Sequence, residues 1–273
     1  MGECVNRYYI CNNDIKSCED FDDRLLATGK SLYEVIRIID GKALFLQRHL
    51  NRFENSCNII KLKIWLSKEE IKNKIYELIK SNHITTGNVK IVFKFDKVNS
   101  FLAYFVKHHY PEDQDYKKGV NTILYHGERE NPNAKIINMN FRATVDKEVK
   151  DKKAYEAILV NNKGYITEGS KSNIFMIKGN KVITAPLINV LPGITRAVIM
   201  ELCSEIGFEV LEKNVDYRDL KFLDGLFISG TSPKVLPIRR VDDMDFDSVN
   251  NKVILEIMKK YDEIVQENTI SLT

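Results

Sequence analysis

Residues 32 to 46 read LYEVIRIIDGKALFL, and the Asp40-Gly41 pair inside them decides how the N-terminal part of the chain folds. Eight residues rich in β-branched and large side chains run into Asp-Gly, and apolar residues resume directly after it. Both central residues of a type I′ turn need positive φ, which glycine accepts freely and aspartate tolerates, so the pattern predicts a hairpin with strands over 32–39 and 42–46. Working outward, Leu46, Leu50, Phe53, Cys57 and Ile60 recur at spacings of four, three, four and three. That is one apolar stripe on a helix, which therefore follows the hairpin without a linker.

Ser67 and Glu70 form a capping box ahead of Ile71, Ile75, Leu78 and Ile79, which predicts a second amphipathic helix over about 68–80. VKIVFKF and FLAYFVK read as a strand pair. The polar stretch PEDQDYKKG, residues 111–119, then separates two parts of the chain. Residues 1–118 are expected to form a small α+β domain, with hairpins on one layer and two helices on the other, and residues 119–273 a larger C-terminal domain. In the latter, strands are predicted at VNTILYH, YEAILV, NIFMIK, KVIT, FEVLEK, GLFISG and KVLPIRRV. A helix through ITRAVIMELCSEIG ends at Gly207, and a last helix carries an apolar stripe from Val249 to Val265.

Composition argues against several classes. The 273 residues are 44% hydrophobic and 29% charged, an ordinary globular balance. The formal charge of +3 is spread along the chain, which gives no basis for nucleic acid or an anionic membrane surface as partner. No stretch approaches the roughly 18 apolar residues of a membrane span, and the N-terminus lacks a signal peptide's apolar centre, so a cytoplasmic protein is expected. Cysteines at 4, 11, 18, 57 and 203 show no metal-binding spacing and no histidine cluster beside them, and neither a disulfide nor a bound metal is expected.

Candidate chemistry is scattered, and each residue has an ordinary structural account beside the functional one. In LPGITR, Gly193 opens a helix whose first amides, those of Ile194 and Thr195, can hold a phosphate; every helix has such an end. In FISGTSPK, small residues lead to Thr231, which a plain turn before Pro233 also explains. Arg52 lies off the apolar stripe, where an arginine is ordinarily a solvated residue, although its planar fork suits a phosphate. Lys135 has no charged neighbour from 136 to 141, and a lysine in apolar surroundings becomes a nucleophile; a surface position is the simpler account. Glu168 ends the strand-like YITE, a usual place for a solvated acid. Tyr33 reads equally as a half-buried strand tyrosine.

In order and spacing together, these segments resemble fold-type IV pyridoxal-phosphate enzymes, the family of branched-chain aminotransferases, D-amino-acid transaminases and aminodeoxychorismate lyases. The resemblance runs from SLYEVIRIIDGKALFLQRHLNRFENS through NAKIINMN, AYEAILVNNKGYITEGSKSNIF and LPGITR to FISGTSPKVLP. It implies a two-domain α+β fold, the larger domain having a barrel-like core and carrying Lys135. It implies that Lys135 bonds the aldehyde of pyridoxal 5′-phosphate and then moves the substrate proton. By the same resemblance Glu168 faces the pyridine nitrogen, and Arg52, the amides of Ile194 and Thr195, and Thr231 form the phosphate cup. Tyr33 faces the substrate, an amino acid or a 2-oxo acid, in what is usually a homodimer. No metal is implied.

The sequence departs from the family where substrates are chosen. D-amino-acid transaminases carry an arginine and a histidine shortly after the strand matching VKIVFKF, whereas DKVNSFLAYF follows here; strand alternation turns Lys94 away from Phe93 and Phe95. Asn138, three residues after Lys135, is spaced more like the D-amino-acid and lyase branches, with Met139 and Asn140 next. Lys30 replaces an acid of many relatives. The expected activity is a transaminase; the alternatives are the lyase that releases 4-aminobenzoate and pyruvate, and a non-catalytic binder of phosphate-bearing small molecules.

Overall fold

The Asp40-Gly41 turn forms as the sequence predicts, with φ at 50° and 74°. It joins β3 (Lys30–Ile39) to β4 (Lys42–Ala43) in antiparallel pairing. The second strand is shorter than predicted, because Phe45 adopts φ 53° and caps α1 (Leu46–Ile59), so the chain turns into the helix two residues after the strand. The computed structural model describes residues 3–26, 29–129, 132–135 and 139–270.

The chain clusters into two units, Met1–His109 with Ala134–Ile137 and Val265–Thr273, and Tyr110–Asn133 with Asn138–Ile264. In the first, β1 (Cys4–Cys11), β2 (Asp14–Ser17), β5 (Gly87–Phe95) and β6 (Ser100–Val106) join β3 and β4 in one antiparallel sheet, ordered β2-β1-β6-β5-β3-β4. Strand alternation sends Leu32, Ile36, Val89, Phe93 and Phe105 to one face, where α1 and α2 (Lys68–Asn82) cover them with Leu50, Phe53, Ile75 and Leu78. The capping box at α2 forms: Ser67 Oγ accepts from the Glu70 amide at 3.2 Å, and Glu70 accepts from the Ser67 amide at 2.7 Å. One expectation is corrected here, since Cys4 and Cys18 form a disulfide with their Cα atoms 6.1 Å apart. The β1–β2 hairpin returns the chain to its own start, a closure that a separation of 14 residues does not announce.

The second unit opens with a short helix, α3 (Asp113–Lys118), where the sequence reads only a polar separator. Its nine-stranded mixed sheet runs β12-β11-β10-β13-β14-β7-β8-β9, with β15 (Met244–Asp245) added on β14. The strands are β7 (Val120–His126), β8 (Glu156–Val160), β9 (Ile166–Gly169), β10 (Asn173–Lys178), β11 (Lys181–Thr184), β12 (Glu209–Glu212), β13 (Gly225–Gly230) and β14 (Lys234–Val241). The sheet curls, so β9 and β10 approach each other although four strands separate them in the ladder. Helix α4 (Met139–Asp151) has no counterpart in the sequence reading, and α5 (Ile194–Glu205) and α6 (Lys252–Ile270) lie where apolar stripes place them. Gly207, at φ 84°, follows the end of α5 as predicted. Among the described residues no helix is long and apolar enough to cross a membrane.

Phe53 is 1% exposed and its ring lies 4.7 Å from that of Phe93, whereas Ile59 on the same helix is 51% exposed. Phe53→Ala is expected to lower the unfolding free energy by about 3–5 kcal/mol, and Ile59→Ala by less than about 0.5 kcal/mol, in urea denaturation followed by circular dichroism. Equal effects would contradict the packing described.

Candidate active site

In the first unit, α1 presents His49, Arg52 and Ser56, spaced three and four apart and therefore on one face. All three are buried, Arg52 at 6% exposure, so the solvated-surface account of Arg52 is wrong. What draws the guanidinium inward is Glu34, on the helix-facing side of β3. Glu34 Oε1 accepts from Arg52 Nε at 2.8 Å, and Oε2 accepts from Arg52 Nη2 at 2.5 Å and from His49 Nδ1 at 2.8 Å. Burial pushes the Glu34 carboxyl up, but Arg52, the His49 hydrogen bond and the charge of Lys135 together hold it well below the usual carboxylate range. Burial also drives His49 below its ordinary value against the pull of Glu34, which favours the neutral ring with its proton on Nδ1.

Lys135 joins this group through its backbone. Its carbonyl accepts from the Tyr33 amide at 3.2 Å, and its amide donates to Ser56 Oγ at 3.4 Å. Its Nζ lies 5.1 Å from the Tyr33 ring centroid. Tyr33 points to the sheet face opposite the helices, among Tyr9, Val92, Leu102 and Tyr104. Lys90, 4% exposed, lies on that face too, 5.0 Å from the Tyr33 ring, and its Nζ is 2.6 Å from Glu3. Lys94 pairs with Asp96 at 3.5 Å. Asn138 lies outside the described residues.

In the second unit, three turns converge. Glu168, on β9, is 2% exposed rather than a solvated strand end. Its Oε1 is 3.2 Å from Arg129 Nε, and its Oε2 accepts from the Leu191 amide at 3.1 Å. The turn after it wraps a second buried acid: Glu156 Oε1 accepts from the Lys171 amide at 2.5 Å and Ser172 Oγ at 3.0 Å. Burial holds the Glu156 carboxyl above its usual range against those bonds. Gly169 has no room for a side chain, because a Cβ would strike Ser172 Oγ and lie 2.6 Å from Glu156 Oε1.

The loop before α5 is held from two sides, by Asn133 Nδ2 on Val190 O at 2.8 Å and Asn173 Nδ2 on Leu191 O at 3.0 Å. Gly193 starts the helix against Asn173, which a side chain there would strike. The first helical bond, Ala197 N–H to Gly193 O at 3.0 Å, leaves the amides of Ile194 and Thr195 at the helix end with no carbonyl inside the helix to accept from them. Arg196 takes no part, since its Nη2 donates to Ala185 O at 3.0 Å and to Glu212 at 2.9 Å. Asn173 is paired across the ladder with Ser229, two residues before Thr231, and a Cβ at Gly230 would be 3.7 Å from Ser172 Cβ. Ser229 Oγ, on a residue 1% exposed, has no hydrogen-bond partner among the described residues.

A helix N-terminus, small hydroxyl residues and an orphaned hydroxyl make a cradle for an anion, while Glu168 fixes an anion close to it. The sequence reading overlooks Arg129, Glu34, His49 and Glu156, all single polar residues whose roles arise from contacts distant in the chain. Glu34 and Glu156 leave a trace, each as an acid inside an apolar run, LYEVIRII and YEAILV.

A profile of the amino-transferase class IV family matches residues 31–241. The putative branched-chain-amino-acid aminotransferase of Methanocaldococcus jannaschii is 30% identical over 278 residues, which cover 95% of this chain and 93% of that one. The D-alanine aminotransferase of Bacillus licheniformis is 29% identical over 84% of this chain and 85% of that protein. A crystal structure of the T.th. branched-chain amino acid aminotransferase complexed with N-(5′-phosphopyridoxyl)-L-glutamate superposes with a TM-score of 0.86 at 21% identity, covering 97% of this chain and 96% of that one. The family profile covers most of the chain and a relative at 30% identity matches nearly all of it, and the chain belongs to the class IV amino-transferase family.

Proposed function

We propose that the chain transfers an amino group from an amino acid to a 2-oxo acid with pyridoxal 5′-phosphate as its cofactor. The observation that carries this reading is Glu168, a buried carboxylate held by Arg129 and the Leu191 amide next to the N-terminus of α5. The residues present fit the group, since the anion cradle and its orphaned Ser229 hydroxyl suit the phosphate and Glu168 suits the ring nitrogen. When bound, the cofactor supplies an electron sink for the carbanion at the substrate Cα and the carbon that carries the amino group.

The chain's own residues do the rest. The Lys135 amine would hold the cofactor covalently and, as a base, would move the proton of the substrate Cα. Glu168 holds a proton on the ring nitrogen by presenting its charge where water cannot screen it. The amides of Ile194 and Thr195, the Thr231 hydroxyl and the Arg52 guanidinium bind the phosphate, combining a helix dipole with a charged fork. The Tyr33 phenol lines the substrate. The named activities of the relatives, on branched-chain amino acids and on D-alanine, define the donors to try first.

With 2-oxoglutarate as acceptor, a panel of L- and D-amino acids is expected to yield glutamate from at least one donor, measured by chromatography. Absence of transfer from every donor, with 4-aminobenzoate and pyruvate released from aminodeoxychorismate, would establish the lyase instead. Glu168→Gln is expected to lower kcat by about a hundredfold while the protein still takes up the cofactor, because the amide cannot hold a proton on the ring nitrogen. Unchanged turnover in that variant would remove Glu168 from its role.

A further inference from the structure

We propose that Glu34 and His49 are positioning residues for the Arg52 guanidinium, and that through it they set how tightly the chain holds the phosphate of its cofactor. The inference rests on the reading of Arg52 as a phosphate ligand.

Glu34 is out of place by the ordinary rules of a strand. Its neighbours on the same face of β3 are Leu32, Ile36 and Ile38, all fully buried in the apolar cluster under the helices. A carboxylate in that row, at 0% exposure, is costly to desolvate, and an apolar residue of similar size commonly serves stability as well or better. What the charge does instead is geometric. Both oxygens engage Arg52 side-on, through Nε at 2.8 Å and Nη2 at 2.5 Å, which fixes the plane and the rotation of the guanidinium. His49 clamps Oε2 from the preceding turn of α1, 2.8 Å away, so that the carboxylate cannot turn. As a neutral ring, His49 contributes a hydrogen bond and no charge.

Charge and orientation make opposite demands on this arrangement. Glu34 is an anion beside a proposed anion ligand, so by Coulomb's law alone its removal would strengthen phosphate binding. If it works by holding the fork in place, its removal weakens phosphate binding although a repulsive charge has gone. Glu34→Gln keeps the shape of the side chain and separates the two effects.

The test is to strip the purified protein of cofactor and titrate it by absorbance with pyridoxal 5′-phosphate and with pyridoxal, which lacks the phosphate. The ratio of the two dissociation constants reports the phosphate's contribution alone. In Glu34→Gln the preference for the phosphorylated form is expected to fall about tenfold, with pyridoxal affinity unchanged within about twofold, equivalent to about 1.4 kcal/mol. An unchanged or increased preference, or an equal weakening of both ligands, would overturn the positioning role. Should Glu34→Gln yield no folded protein by circular dichroism, His49→Phe decides: about a threefold loss of preference supports the role and no loss overturns it. Arg52→Lys tests the underlying reading, because a preference that survives there removes Arg52 from the phosphate. A preference lost in Arg52→Lys but kept in Glu34→Gln would leave that reading standing and defeat this inference alone.

Discussion

A carboxyl group taken out of water must find donors for its oxygens, and among the described residues three such acids are buried, Glu34, Glu156 and Glu168. The way each is satisfied fixes the backbone around it. Glu34 draws Arg52 and His49 of α1 onto β3, which holds helix and strand in one orientation. Glu156 gathers the Lys171 amide and the Ser172 hydroxyl, folding the turn after Gly169 back on β8. Glu168 takes the Leu191 amide and the Arg129 side chain, so the loop leading into α5 is tied to the end of β9.

These three solutions differ in electrostatic outcome. Glu34, met by a guanidinium and a histidine, stays ionised well below the usual range. Glu156 faces mainly hydroxyl and amide donors, and burial prevails to leave its carboxyl above the usual range. Accepting from the turn that follows Gly169, Glu156 is suited to bracing the backbone. Glu168 is met by the Arg129 side chain and the Leu191 amide, in the loop that leads to a helix N-terminus.

Much of the framework is legible in the sequence because it depends on neighbours in the chain. Asp40-Gly41 determines its turn by local φ preference, and Ser67 with Glu70 determines a helix start by hydrogen bonds three residues apart. Helix α4 escapes because only Phe141, Val145 and Val149, spaced by four, mark its apolar face among charged residues; that spacing is enough to find it. The Cys4–Cys18 disulfide and the length of β4 depend on how the chain returns on itself. At the site, Glu168 and the α5 N-terminus sit in recognisable order, but Arg129 lies 39 positions from Glu168 and no local pattern links them. Arg52 reads as a surface residue for the same reason: its partner, Glu34, is on another element.

The account stands or falls on whether Lys135 is the residue that bonds the cofactor. Its amide and carbonyl are held by Ser56 and Tyr33, and its Nζ lies over the Tyr33 ring, so the side chain is delivered from a fixed backbone. Reduction of the protein with borohydride after incubation with pyridoxal 5′-phosphate, followed by peptide mass mapping, tests this directly. The prediction is a yellow protein that bleaches on reduction, with one phosphopyridoxyl group per chain on Lys135. A colourless protein that takes up no label, or a label spread over surface lysines with Lys135 unmodified, would contradict it.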